Sequence, residues 1–536
     1  MTRMAPTRTL VPFQLSLPGR EAPGATKPSS HPWPSRWVRQ VGPALVAYLL
    51  TAGLLVAVQA RAAEDQGGPP IERRSGAAER IGLMIFPPLL WSPPAVGLEI
   101  ERRTLSNGII LYLYQDRTLP LLELVGLFRG GRLYEAAEKS GLAQMATKVI
   151  RMGGTASIAP DALNEELESL AASLELSAGD EALEVRLHLL SKHEQRGLQL
   201  LADVLRRPAF DPGQLELTRG RLLEGLRRQR DDPRELLNRE FAALHYTDRH
   251  PLGREPTETT LRGIEREDLL AFHQRFVRPD NLMLAVAGDF DKESLVARLE
   301  QLLGGWSVSG SLSLPPIPSV QTAARPGLFL IDKPISQSSV AIGHFGVERT
   351  NPDRQAIELM NFLLGGGGFI SRMTKRVRVA EGLAYSVGSR FGTDGHQPGL
   401  FQVIAFTRTD ATAQTIAIVK EEITRLREAP VTGAELELAK EAVANSFLFR
   451  FTDPAETVRQ LMLLEFEGLP PDYYQTLLAR YRAVGPERLH EIARRYLKPE
   501  DLAIVVVGDA KALEPALAPL GPVRKLSPDT TAARAR

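Results

Sequence analysis

Residues 365–387 read GGGGFISRMTKRVRVAEGLAYSV. Their first four positions, Gly365 to Gly368, allow a tight turn or a close approach between backbones. Phe369, Met373 and Val377 then fall at i, i+4 and i+8 among Arg372, Lys375, Arg376 and Arg378. That spacing predicts a helix with one apolar face. Gly382 is a helix stop signal, and residues 383–387 read as the start of a strand. Arg378 therefore closes a helix and Tyr385 opens a strand seven positions later. A guanidinium and a phenol brought together can donate hydrogen bonds to a peptide carbonyl and to the oxyanion formed from it. Without further context the same two residues also read as a surface arginine and a half-buried strand tyrosine.

The wording of this stretch, Leu364-Gly365-Gly366 through Arg378 and then Gly382-Leu383-Ala384-Tyr385-Ser386, resembles the second half of the pitrilysin/insulinase family of zinc peptidases. In that family an Arg and a Tyr at this spacing reach over from the C-terminal half. They position the scissile carbonyl and stabilise the tetrahedral intermediate. Arg378 and Tyr385 match those two positions, so the resemblance implies that role for them.

The N-terminal half carries the flanks of the same family's zinc helix. Ser140 reads as the cap of a helix running to about Met152. Gly141-Leu142-Ala143 precede the motif position and Gly154-Thr155 follow it. Between them the family has His-x-x-Glu-His. Here Gln144 and Lys148 hold the two histidine positions and Thr147 the position of the general-base glutamate. Zinc takes neutral imidazole, thiolate or carboxylate ligands. Gln is a poor ligand, and Lys puts a positive charge where a dication would sit. Thr cannot replace a carboxylate as the base that activates water. The family's third ligand, a Glu on a long helix before an Asp-Asp-Pro-like break, falls at Glu224 or at its neighbour Gly225, ahead of Asp231-Asp232-Pro233. Glu224 would then be a vestigial ligand, and one carboxylate does not make a zinc site. None of the nine histidines forms His-x-x-Glu-His or its inverse, and there is no Gly-x-Ser-x-Gly elbow. The chain carries no recognisable catalytic engine of its own.

An internal repeat divides the chain. Arg278-Pro279-Asp280-Asn281-Leu282 leading to Gly288-Asp289 recurs as Lys498-Pro499-Glu500-Asp501-Leu502 leading to Gly508-Asp509, 220 positions on. The expected fold class is α+β: two duplicated domains, 99–306 and 325–511, each a mixed β-sheet packed with α-helices, as the pitrilysin resemblance implies. Within the first, an Asn107-Gly108 turn leads into a strand and residues 121–128 form another. Leucines at 163, 167, 170 and 174 predict a helix face. Alternating residues on either side of Gly179-Asp180 predict a hairpin. Helices are expected near 191–206, 213–230, 233–246 and 266–276. Residues 307–324, rich in Ser and Pro, read as a linker, and 512–536 as a polar tail.

The 536-residue length suits two large domains. A net charge of +1 steers the chain neither to nucleic acid nor to anionic lipid. The absence of cysteine excludes disulfides and thiolate ligation. Residues 41–60 are uncharged and mostly apolar, preceded by Arg36 and Arg39 and followed by Ala60-Arg61-Ala62. This predicts a secretory signal over 1–62, cut after Ala62, with export to the periplasm. An uncleaved anchor over 41–60 is the alternative, and the sole basis for membrane contact. Residues 1–37 read as an over-extended start. A proline-rich linker follows over 63–98.

The zinc half is dismantled and the Arg/Tyr half is intact. In the short-chain branch of the family, which includes mitochondrial processing peptidase, two such chains can pair, one bringing zinc. The resemblance implies a zinc-free subunit, inactive alone, of an exported heterodimeric metallopeptidase. It would hold no cofactor itself and would lend Arg378 and Tyr385 to a zinc-bearing pitrilysin-like partner acting on extended peptides. The rival expectation is a catalytically inactive structural or peptide-binding subunit, like the zinc-less core proteins of the respiratory cytochrome complex.

Overall fold

The structure, a computed structural model, describes residues 92–527 apart from 324 and 394. The signal expected at 1–62 and residues 63–91 of the proline-rich linker lie outside the described residues.

The first sheet is built from β1 (Glu101–Thr104), β2 (Ile110–Gln115), β3 (Leu121–Arg129), β4 (Ser173–Ala178), β5 (Ala182–Leu190) and β6 (Leu282–Gly288) in the order β1-β2-β6-β3-β5-β4. The second uses β7 (Gly327–Asp332), β8 (Gln337–Phe345), β9 (Ala384–Phe391), β10 (Leu400–Arg408), β11 (Ala503–Gly508) and β12 (Val523–Lys525) in the order β12-β7-β11-β8-β10-β9. Five strands of each repeat the same pattern. The parallel pair β2/β6 corresponds to β7/β11, and the antiparallel run β6-β3-β5-β4 to β11-β8-β10-β9. The repeated Pro motif is a short 3-10 turn feeding the central strand in both halves, Pro279–Asn281 and Pro499–Asp501. The fold is thus the α+β duplication expected.

The two sheets are covered reciprocally. Parallel strands buried on both faces read as near-continuous apolar runs, and β6 and β11 do so. In β6, Leu282, Leu284 and Val286 point into the first half's own core, whereas Met283, Ala285 and Ala287 join the core of the second. What covers that outer face is a second-half helix, Pro454–Phe466. In return, Leu236, Leu237 and Phe241 of the first-half helix Pro233–Tyr246 pack on Ala503, Val505 and Val507 of β11. Both lent helices begin with Asp-Pro. Asp232 accepts hydrogen bonds from the amides of Arg234 (2.7 Å) and Glu235 (3.3 Å), and Asp453 from that of Glu456 (2.7 Å). Such caps satisfy amides that the first turn leaves orphaned.

Polar contacts fix the seating of the second lent helix. Glu465 receives two hydrogen bonds from Arg102, both at 2.7 Å, and one from the Tyr112 hydroxyl. Arg129 donates to the Phe466 carbonyl at 2.6 Å and stacks on that residue's ring, 4.7 Å from the centroid.

Three sequence expectations need correction. The helix expected over leucines 163–174 is Pro160–Ser169. Ala171 takes a left-handed φ of 49°, which ends it, and Leu174 belongs to β4. Ser140 does not cap the helix Leu142–Met152; the Glu135 carboxylate does, accepting from the amides of Gly141 (3.0 Å) and Ala143 (2.6 Å). The tail expected from 512 is in part folded: residues 510–517 form the helix Ala510–Leu517, and β12 adds a parallel strand beside β7.

Hydrogen bonding to Arg102 holds the Glu465 carboxyl below the ordinary carboxylate range. A depressed carboxyl contributes stability above its unfolded pKa of about 4.3 and loses it as pH falls through the folded value. Glu465→Gln is therefore expected to lower Tm at pH 7 and to shrink the Tm difference between pH 7 and pH 3.5. An unchanged pH dependence of the melt would contradict this seating of the helix.

Candidate functional site

The glycine run docks on the edge strand β9. A Cβ on Gly365 would lie 2.6 Å from Ser389 Oγ and 2.7 Å from its amide nitrogen, so only glycine permits the approach. The single helix expected beyond it is broken. Residues 368–370 form the 3-10 turn Gly368–Ile370, and a wide π-type turn, Thr374–Ala380, carries Arg378. Ser371 makes the break: its hydroxyl and its amide both bond the Gly368 carbonyl, at 2.7 and 3.1 Å. Met373 and Val377 are buried as expected, but Phe369 is turned outward and is 65% exposed.

Arg378 and Tyr385 are brought together. The Arg378 guanidinium carbon lies 5.1 Å from the centroid of the Tyr385 ring and 4.7 Å from that of Phe369. Two neighbouring arginines are neutralised by helix carboxylates. Arg372 pairs with Glu435 (2.7 Å), and Arg376 with Glu421 (2.6 Å) and Glu422 (2.9 Å). Among the described residues, Arg378 has no carboxylate partner and the Tyr385 hydroxyl no hydrogen bond. Tyr385 is 79% exposed. Phe369 and Tyr385, the two rings in contact with the guanidinium, are both exposed. Sequence periodicity assigned Phe369 to the core. The signal against that assignment is the glycine immediately before it, which lets the chain leave the helical path.

The helix Leu142–Met152 keeps its frame without the metal chemistry. Gly141 has φ 97° with its Cβ position against Leu261 and Pro256, and Gly154 has φ 71° with its Cβ position 2.6 Å from the Ile158 carbonyl oxygen. These glycines are required by the fold. Between them Gln144 and Lys148 lie on one exposed face, one helical turn apart. Thr147 is 1% exposed and its hydroxyl donates back to the Ala143 carbonyl at 2.9 Å. Glu224 lies exposed on the helix Pro212–Asp231, 3.9 Å from Arg227.

A sequence profile described as Insulinase (Peptidase family M16) matches residues 125–255, and one described as Peptidase M16 inactive domain matches residues 263–443. The chain belongs to the insulinase family, M16. Among its relatives, the non-peptidase homolog YmxG of Helicobacter pylori is 26% identical over 421 residues, 77% of this chain and 95% of that protein. The probable mitochondrial-processing peptidase subunit beta of Arabidopsis thaliana is 26% identical over 437 residues, 77% and 79% of the two chains. The crystal structure of a peptidase M16 inactive domain from Pseudomonas fluorescens matches with a TM-score of 0.69 at 25% identity, over 77% of this chain and 98% of that one.

The zinc of active M16 peptidases does not fit the residues present here. Gln144 is a weak donor, Lys148 is a cation, and the Thr147 hydroxyl is committed to its own helix. Among the described residues no three His, Cys, Asp or Glu side chains converge on a point that could hold a metal. The burial of Thr147 makes one part of the family motif costly to rebuild. Thr147→Glu places a carboxylate in an apolar setting and is expected to cost about 2–4 kcal/mol of stability. Gln144→His with Lys148→His, on the exposed face, is expected to leave urea unfolding within about 0.5 kcal/mol of wild type. A Thr147→Glu chain as stable as wild type would contradict the packing described.

Proposed function

We propose that this chain is the zinc-free subunit of a heterodimeric M16 metallopeptidase. It supplies Arg378 and Tyr385 to a peptide-cleaving site completed by a zinc-bearing partner of the same fold. The observation that carries this reading is the Arg378–Tyr385 pair itself: the half-buried guanidinium carbon lies 5.1 Å from the centroid of the exposed Tyr385 ring, and neither side chain has a hydrogen-bond partner among the described residues. An unpaired guanidinium between two exposed aromatic rings marks a surface that meets something. A pure scaffold needs neither donor.

The guanidinium can orient a peptide carbonyl, and the phenol can donate to the oxygen on which negative charge develops. Tyr385 sits near the start of β9, an edge strand of the second sheet, before the part of that strand on which the glycine run docks. The loss of ligand chemistry at Gln144, Thr147 and Lys148 supports a chain that hydrolyses nothing alone, as do the names "non-peptidase homolog" and "inactive domain" among its relatives. Export to the periplasm is part of the proposal and rests on the leader-like pattern of residues 36–63.

The test is reconstitution with the zinc-bearing M16 chain encoded in the same genome, assayed on an unfolded, internally quenched peptide. Tyr385→Phe removes one phenolic donor and is expected to lower kcat by about 10²–10³ with little change in KM. Arg378→Ala is expected to act more strongly on KM. Both variants should still form the heterodimer, because neither side chain lies in a core. Unchanged activity in both would sink the shared-site mechanism and leave a scaffold role.

A further inference from the structure

We propose that Phe369 is a positioning residue for Arg378, closing an aromatic sandwich that holds the guanidinium ready for its substrate oxygen; this rests on the shared-site reading above. Phe369 belongs to none of the apolar cores and is 65% exposed, so packing does not account for its placement. What it touches is Arg378. The guanidinium carbon is 4.7 Å from the Phe369 ring and 5.1 Å from the Tyr385 ring. Both distances are within the range of cation–π attraction.

The consequence follows from the shape of the group. A guanidinium is planar and its N–H bonds lie in that plane. Two rings attract the cation without taking a hydrogen bond from it, so the donors along its edge remain unspent. The stack thus restricts a long side chain that would otherwise be immobilised only when substrate arrives, and leaves its hydrogen-bonding direction free. An in-plane acceptor such as a peptide carbonyl oxygen fits that edge.

Phe369 is held in place by buried hydroxyls. Ser371 and Thr374 are both buried. The Ser371 hydroxyl donates to Gly368 O at 2.7 Å, fixing the turn that projects Phe369. The Thr374 hydroxyl donates to Val387 O at 3.2 Å, fixing the Arg378 turn against the strand that carries Tyr385. Three segments that could move separately are tied at the points from which the three stacked side chains extend.

The experiment has two arms. In the free full-length chain, the rate of phenylglyoxal modification at Arg378 is followed by mass spectrometry. Phe369→Leu, which keeps apolar bulk and loses the ring face, is expected to raise that rate, and Phe369→Trp to bring it back. In the reconstituted heterodimer, Phe369→Leu is expected to lower kcat/KM by about two- to fivefold, the worth of one exposed cation–π contact. Phe369→Trp should restore what leucine loses; a merely structural apolar contact would tolerate leucine. Full activity in Phe369→Leu beside a loss in Arg378→Ala would overturn this inference alone. Full activity in Arg378→Ala would overturn this inference, and full activity in Tyr385→Phe as well would overturn the shared site with it. An Arg378 modification rate insensitive to Phe369→Leu would also overturn the sandwich.

Discussion

Two strands, β6 and β11, each serve both halves of the molecule at once. Their side chains alternate, one set into their own half and the other under a helix lent by the opposite half. Because the period of a strand is two, a one-residue slip would exchange the sets and misplace both cores together. Strands of this kind need both faces covered, and here the second cover always comes from the opposite half. The helices Pro233–Tyr246 and Pro454–Phe466 are therefore structural counterparts, and the Asp-Pro pairs that open them are part of the duplication. This mutual cover sets the frame in which the edge strand β9 and its tyrosine are presented.

The site on that frame separates what the fold needs from what chemistry needs. Gly141 and Gly154 persist because a Cβ at either position meets atoms that cannot give way cheaply or requires a left-handed backbone. Gln144, Thr147 and Lys148 occupy positions the fold leaves open to change: two face outward, and the third satisfies its hydroxyl within its own helix. In the second half, Arg378 and Tyr385 contact each other and make no side-chain hydrogen bond or ion pair among the described residues. A guanidinium held only by two exposed rings gains little for stability, which is why its place is read in terms of something it meets.

Much of this was legible in the sequence. The Pro279 and Pro499 repeats located the two central strands, and the flanks of the degenerate helix were readable because they are local and steric. The strand bearing Tyr385 was placed correctly, whereas the single helix expected to carry Arg378 is a 3-10 turn followed by a π-type turn. What escaped was non-local. Periodicity identifies the helix 233–246 but not the sheet it covers, since an apolar face looks the same to either partner. Phe369 fits the i, i+4 pattern of Met373 and Val377, yet Ser371 and the preceding glycine divert the chain and turn its ring outward. The cap from Glu135 comes from outside the helix it serves. β12 is only three residues long, with two of them exposed, so it carries too little pattern to be read as a strand.

The central claim is a division of labour between two chains, one with metal and one with the Arg/Tyr pair. The most direct measurement is the zinc content of the purified heterodimer, with each subunit released and weighed by native mass spectrometry. The account predicts one zinc per pair, travelling with the partner, and a metal-free mass for this chain. A zinc ion retained stoichiometrically on this chain, with chelator-sensitive peptide cleavage by it alone, would contradict the account.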